Sequence, residues 1–191
     1  MGSTYANVTV VGAELEAVRA LLAGSGALLA ASGSDVIVFH PHDDGEGLGT
    51  GTTATQLSAA LGVPVIDAVV FDDDFLQLLV LVDGAVAVRA VAPPTGAEIL
   101  SEMAGDVGEL PEDDIGSGLT SAEEAAALVA AIGRGDIAQL TAALDANNVF
   151  ATQSHHGVFA ALGLPTIASG WGYRYIVKDR DLFQGVALEE A

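Results

Sequence analysis

Six short apolar runs in the first half of the chain, each closed by turn residues, most constrain what this sequence can fold into. They are rich in valine and leucine and end at Gly, Pro, Asp or Ser, which is typical of β-strands. The Asp83-Gly84 pair between the last two runs predicts a two-residue hairpin turn. Two segments with apolar residues at helical spacing separate other runs, and these segments end at Gly24 and Gly62. The second segment, TTATQLSAALG, is expected to begin with a threonine N-cap.

The order of these elements predicts an α+β fold. The first six follow the order strand, helix, strand, strand, helix, strand, which is that of a ferredoxin-like βαββαβ unit. Such a unit has an antiparallel sheet with two helices on one face, and the hairpin at Asp83-Gly84 would widen that sheet. We therefore predict a ferredoxin-like sheet domain over residues 1–94, extended by a β-hairpin.

The second half of the chain has a different pattern. The segments TSAEEAAALVAAIG, RGDIAQLTAALD and QSHHGVFAALG predict helices. The first opens with a capping-box pattern, Thr120-Ser121 followed by Glu123-Glu124. WGYRYIVKD, residues 171–179, predicts a closing strand. Residues 95–191 are thus expected to form a mainly helical region with a late strand, packed on the first domain.

The pentapeptides ALGVP and ALGLP, at residues 60–64 and 161–165, raise the question of an internal repeat. Gly62 and Gly163 each fit the left-handed position after a helix, which glycine adopts without steric cost. The residues beyond the two pentapeptides differ. We interpret them as one helix stop signal before a strand, used twice, and not as a duplicated site.

Charge is the strongest compositional signal. The chain has 26 acidic and 6 basic residues, for a formal net charge of −20. Phosphate backbones and anionic membranes would repel it, so nucleic acid and membrane partners are not expected. A basic protein or a cation would be attracted. The alternative is that the acidity serves solubility, or reflects coding bias or a salty cytoplasm.

The chain has no cysteine, which excludes disulfides, thiolate metal sites and cysteine nucleophiles. Its N-terminus lacks the basic and apolar regions of a signal peptide, and no uninterrupted apolar run reaches the length of a membrane span. We therefore expect a cytoplasmic protein.

A divalent metal site is one candidate for chemistry. His40 and His42 are spaced to project from one side of an extended chain, and Asp43 and Asp44 follow them directly. Nitrogen and oxygen ligands of this kind bind divalent ions, and two carboxylates of a second cluster, Asp72 and Asp74, could contribute. The alternative for both clusters is a solvated turn. No other cofactor is indicated.

A partner-binding surface is the other candidate. The stretch from Glu98 to Glu124 has nine acids and no base, and a later segment combines aromatic side chains with arginine, as binding hot spots do. The candidate partner-binding residues are Glu98, Glu102, Glu109, Glu112, Asp113, Asp114, Trp171, Tyr173 and Arg174. The alternative is a closing strand whose bases pair with the acidic segment.

Several short motifs together resemble those of a group of uncharacterised small acidic bacterial proteins, mainly actinobacterial. These motifs are YANVTV, LSAALGVPV, FDDD, LVDG, FAALGLP and GYRYI. The resemblance covers most of the chain and implies a cytosolic accessory protein. It implies no activity, cofactor or catalytic residue.

No catalytic motif stands out, since neither a nucleophile elbow nor a phosphate-binding loop occurs. We therefore predict a non-catalytic acidic binding protein, such as an immunity or inhibitor-type partner of a basic protein. One alternative is a metal-dependent hydrolase or metal-binding module. The other is a self-associating structural domain, in which an open sheet edge pairs across a homodimer.

Overall fold

A computed structural model describes residues 3–42, 51–96, 119–183 and 187–191, and all structural statements below concern these residues. The strands are β1 (Tyr5–Val10), β2 (Leu28–Ser32), β3 (Asp35–Phe39), β4 (Val65–Phe71), β5 (Phe75–Val82), β6 (Ala85–Ala92) and β7 (Leu188–Glu190). The α-helices are α1 (Leu15–Leu21), α2 (Thr52–Leu61), α3 (Ser121–Ile132), α4 (Ile137–Asp145), α5 (Ala151–Ala161) and α6 (Tyr173–Lys178). Short 3₁₀ turns lie at Thr166–Ala168 and Arg180–Leu182.

The strands form one antiparallel sheet, in the order β6-β5-β4-β1-β3-β2-β7. β1 is the central strand and pairs with β3 on one side and β4 on the other. The α+β prediction is confirmed, and the sheet is larger than predicted. β7, which was not predicted, pairs with β2 and so ends the sheet opposite β6.

Helices cover both faces of the sheet. On one face, Val8 and Val10 of β1 pack in a core with residues of α1 and α2, such as Val18 and Leu57. On the other face, a larger core joins the sheet to residues of α3, α4, α5 and α6. Because both faces are covered, every position of β1 and six of the seven positions of β4 are buried. The buried positions include the polar residues Asn7, Thr9 and Asp67.

The turns follow the glycine and aspartate signals in the sequence. Asp83 and Gly84 have φ values of 51° and 78°, and they make the predicted hairpin turn between β5 and β6. Gly62 and Gly163 both have a φ of 64°, the left-handed conformation expected after a helix. The predicted capping box also forms, between Thr120 and Glu123 at the start of α3.

Three local predictions were wrong. WGYRYIVKD forms α6 and not a strand. Ile176 is buried in the core that joins the sheet to α3, α4, α5 and α6, and this packing overrides the strand propensity of Tyr, Ile and Val. The stop at Gly163 precedes a 3₁₀ turn and not a strand. The N-cap of α2 is Gly51, with a φ of 64° and no side-chain cap, where we expected a threonine.

Among the described residues, no helix is both long enough and apolar enough to cross a membrane.

Replacing Gly84 by alanine is expected to destabilise the fold more than the same change at Gly62. Both backbones are left-handed, which costs a residue with a Cβ atom about 1–2 kcal/mol. A Cβ at Gly84 would also lie 2.8 Å from Ala59 Cβ, whereas one at Gly62 meets nothing within 4 Å. We expect Gly84→Ala to lower the free energy of unfolding by about 1–3 kcal/mol more than Gly62→Ala. Urea denaturation of both variants measures this difference. Equal losses of unfolding free energy would contradict the close packing of Gly84 against Ala59.

Candidate functional site

The two histidines of the predicted metal site lie side by side after β3. The ring centroids of His40 and His42 are 5.3 Å apart, and the backbone N–H of His42 donates to His40 Nδ1 at 3.2 Å. Asp43 and Asp44, the other proposed ligands here, lie outside the described residues. The H-x-H spacing therefore brings the imidazoles together, as the sequence predicted.

The Asp72–Asp74 cluster forms the tight turn between β4 and β5. Asp72 and Asp73 have φ values of 47° and 61°, and the backbone N–H of Asp74 donates to the Phe71 carbonyl at 2.9 Å. β3 and β4 flank β1 and run in the same direction, so His40 and Asp72 leave the sheet at the same edge. This turn was our alternative interpretation of the cluster.

No metal centre is assembled within the part of the chain that the structure describes. There, no group of three or more His, Asp or Glu side chains is placed to hold one ion. A site that uses His40, His42, Asp43, Asp44, Asp72 and Asp74 therefore stays a prediction.

Asp73 acts as a structural anchor in this turn. Its carboxylate accepts hydrogen bonds from the Ser3 backbone N–H at 2.8 Å and from the Thr152 hydroxyl at 2.9 Å. Its backbone carbonyl accepts from the N–H of Ala151 at 2.9 Å. The turn is thereby joined both to the start of β1 and to the start of α5, which leaves Asp72 and Asp74 as its exposed charges.

The residues just before α5 form an exposed apolar feature that our sequence reasoning missed. Val149 and Phe150 are 80% and 51% exposed, and they directly precede Ala151, which is bonded to Asp73. We call Asp72, Asp74, Val149 and Phe150 the acidic–apolar surface. Its signal in the sequence is the apolar pair that follows Asn147-Asn148.

The predicted partner-binding residues divide into two groups. Glu98, Glu102, Glu109, Glu112, Asp113 and Asp114 all lie outside the described residues. Trp171 is half-buried, packs edge-on against Phe183, and accepts a hydrogen bond on its carbonyl from Asn7. Tyr173 and Arg174 begin α6, where Tyr173 is half-buried and Arg174 is exposed.

No family model, curated protein or solved structure matches this chain.

A buried Tyr–His pair lies between the central strand and α5. The Tyr5 hydroxyl and His155 Nδ1 are 2.8 Å apart, and the hydroxyl also accepts from the Gly170 backbone N–H at 2.8 Å. The tautomer of the neutral ring decides which of these two groups donates the proton of this hydrogen bond. Phe159 packs edge-on against the same ring, at 4.2 Å between centroids.

Burial keeps both members of this pair uncharged. It lowers the pKa of His155 to about 3, and the charge of His156 acts in the same direction. It also raises the pKa of Tyr5, against a smaller opposite effect of the Gly170 hydrogen bond. Neither side chain can reach a substrate at the surface, since both are almost fully buried. The pair therefore holds α5 and Gly170 onto β1.

Acidification is expected to destabilise the protein through His155. The unfolded chain, with a histidine pKa of 6.5, binds a proton that the folded ring, with a pKa of about 3, does not. This contribution to stability is complete above about pH 6.5 and falls by about 1.4 kcal/mol per pH unit below it. It amounts to a loss of about 2 kcal/mol at pH 5.

Urea unfolding at pH 7 and pH 5 measures this loss. His155→Gln should lose less stability over that range than the wild type, while His156→Gln, at the exposed neighbour, should lose as much as the wild type. Carboxylates contribute equally to all three proteins, so they cancel. Ring ¹⁵N shifts of native His155 provide a second measurement that needs no variant. A ring that is protonated in the folded protein at pH 5 would refute the assignment.

Proposed function

We propose that this chain is a non-catalytic binding protein that engages a basic protein partner through the acidic–apolar surface. The observation that carries the proposal is the position of Val149 and Phe150, exposed and joined through Asp73 to the turn that presents Asp72 and Asp74. An inhibitor or immunity protein acts in this way, by covering a basic surface on another protein.

The charge of the chain supports a basic partner. Acids outnumber bases by 26 to 6. Part of the positive charge is already paired within the chain, since Arg19 pairs with Glu16 and Glu189, and Arg134 pairs with the buried Asp35. The exposed acids therefore present a negative field that speeds encounter with a basic protein.

The apolar residues supply what charge alone lacks. Exposed ion pairs contribute little net affinity, whereas a central apolar or aromatic anchor surrounded by polar groups contributes most of the energy of an interface. Phe150 would be such an anchor, with Val149 beside it and the Asp72–Asp74 turn bonded to the adjoining start of α5. Because Phe150 precedes a helix held to the sheet, it is presented at little entropic cost.

Phe150→Ala is expected to weaken binding of a basic amphipathic probe by about tenfold or more. The probe is a helical peptide of alternating lysine and leucine pairs, and an all-lysine peptide of equal length is its charge-only control. NMR titration should place shift changes of the native protein at Val149, Phe150 and the Asp72–Asp74 turn. Affinity should fall as salt is raised.

Val177→Ala is the matched control, since Val177 is 58% exposed on α6 and lies outside the acidic–apolar surface. It should bind the probe as tightly as the wild type does. The double variant Asp72→Asn with Asp74→Asn should bind the peptide with an affinity that depends less on salt concentration. Equal binding of both peptides, with shift changes spread over the whole acidic surface, would contradict the proposal.

Self-association is a second candidate, favoured by the composition of β6. This strand ends the sheet within the described residues, and its first three positions, Ala85 to Ala87, are exposed. It contains no acidic residue and only Arg89 as a charge. Two copies with a net charge of −20 each repel one another. An edge without acids is where that repulsion is weakest, and antiparallel pairing of β6 with β6 of a second copy would continue the sheet.

Val86→Lys is expected to abolish such a dimer, because a charge on an edge strand disfavours edge pairing. Light scattering after size exclusion should give the wild type twice the chain mass of 19.2 kDa and the variant a single chain mass. Val177→Lys, a charge introduced at an exposed valine elsewhere, should remain dimeric. A wild type that is monomeric at all concentrations would rule this candidate out.

We also propose that β1, α1, β2, β3, α2 and β4 form a ferredoxin-like unit. The proposal is supported by the spatial order β4-β1-β3-β2, antiparallel throughout, and by the packing of α1 and α2 on one face. The domain boundary at residue 94 and the cytoplasmic location stay predictions.

A further inference from the structure

The edge of the sheet at β2 is closed by a short strand from a distant part of the chain. β7 has three residues, which pair with Leu28 to Ala30 of β2. Glu189 and Glu190 are exposed, and Leu188 is half-buried. Local opening costs least where little apolar surface is buried, so β7 opens more readily than the strands of the sheet interior.

The surroundings of this edge are basic, although the chain is strongly acidic. Arg19 of α1 pairs with Glu189. Arg180, in the 3₁₀ turn after α6, donates a hydrogen bond to the Leu188 carbonyl at 3.3 Å. The chain has only six basic residues, and these two both contact β7. The edge therefore fits a short extended segment in which an apolar residue is followed by acids.

The contacts of β7 do not depend on which chain supplies it. The ladder with β2, the ion pair with Arg19 and the hydrogen bond from Arg180 all join β7 to residues that precede position 184. The same strand from a second copy would make the same contacts. The closed form and an exchanged form therefore differ only in the link that precedes β7 and in their dependence on concentration.

The length of that link limits how two copies could be arranged. Phe183 packs edge-on against Phe39 of β3, and four residues of sequence Gln-Gly-Val-Ala separate it from Leu188. Five steps of extended chain reach about 17 Å at most. For two copies to exchange β7 reciprocally within this reach, their β2 edges must face each other across a two-fold axis.

We propose that the β2 edge is a strand-accepting surface for β7 of a second copy, so that two chains exchange this strand reciprocally. The choice of occupant rests on the fit of Leu188-Glu189-Glu190 to this edge and on the pairing of Glu189 with Arg19. The surface lies at the opposite end of the sheet from β6. Closure within one chain acts at an effective concentration of about millimolar, so the exchanged dimer is minor in dilute solution and grows with protein concentration.

A disulfide trap tests the exchange, because the chain has no cysteine of its own. Ala30 and Leu188 lie opposite each other in the ladder. Ala30→Cys and Leu188→Cys are made in separate full-length chains, each also with Val86→Lys to disfavour pairing of β6. After the two are mixed at high concentration and oxidised, we expect a product of twice the chain mass of 19.2 kDa, joined between positions 30 and 188. Its yield should rise with concentration.

Two controls make this trap decisive. A chain with both Ala30→Cys and Leu188→Cys should form the disulfide internally when dilute. Ala68→Cys mixed with Leu78→Cys is a matched pair on β4 and β5, inside the sheet, and should give no joined product. If the first control closes while the 30–188 mixture gives no joined product, the proposal is overturned. An equal yield from the 68–78 mixture would assign the disulfides to unfolded chains and would also overturn it.

Reversal of the ion pair gives a second test that needs no cysteine. Arg19→Glu in one chain and Glu189→Arg in another each place like charges between α1 and β7 of the same chain. In a mixture, exchange restores opposite charges at both edges. With Val86→Lys in both chains, light scattering of the concentrated mixture should show a dimer fraction severalfold above that of either variant alone. A mixture no more dimeric than its components would overturn the proposal.

Discussion

The central strand is enclosed between two layers of helices, and most of the structure depends on that enclosure. With bulk water excluded from both faces of β1, its apolar side chains contribute to two cores at once. The same exclusion requires every polar atom on the strand to find a partner inside the protein. The Tyr5 hydroxyl and the Asn7 Nδ2 group meet that requirement by bonding to His155 and to residues 168–171. The layer formed by α3 to α6 is therefore positioned by directional bonds as well as by apolar contact.

These directional bonds give the second half of the chain a defined place on the first. Apolar burial alone tolerates sliding of a helix along a sheet, because small aliphatic side chains are nearly interchangeable. A buried hydrogen bond does not, since a shift of one residue leaves donors and acceptors unpaired. Arg134 and the buried Asp35 apply the same constraint at the start of β3. Asp73 does so at the start of β1, where it binds residues from two distant segments.

Local signals in the sequence predicted the elements well where a turn or cap requires one residue type. The Asp83-Gly84 hairpin, the stop at Gly62 and the cap at Thr120 depend on backbone geometry and short-range hydrogen bonds, which a short stretch of sequence contains. The helix α6 was mistaken for a strand because its conformation is decided by the burial of Ile176 against a core assembled from other segments.

The acidic–apolar surface and the burial of the polar side chains of Asn7 and Thr9 on β1 were harder to predict, for the same reason. Val149 and Phe150 are apolar residues that the sequence alone would assign to a core, and only the completed fold shows them to be exposed. Conversely, Asn7 and Thr9 are polar residues on a strand that the sequence would turn towards solvent. The face of β1 that carries Asn7 and Thr9 is buried only because α3 to α6 cover it, and their residues follow more than a hundred positions later.

The pairing of β2 with β7 has a consequence for the nascent chain. The two strands are separated by most of the sequence, yet Leu28 to Ala30 pair with Leu188 to Glu190. During synthesis, the outer edge of β2 stays without its neighbour until residues 188–190 emerge from the ribosome. For that interval a nearly complete sheet exposes a backbone edge that other nascent chains could extend, so the ribosome-bound intermediate is the form most exposed to aggregation.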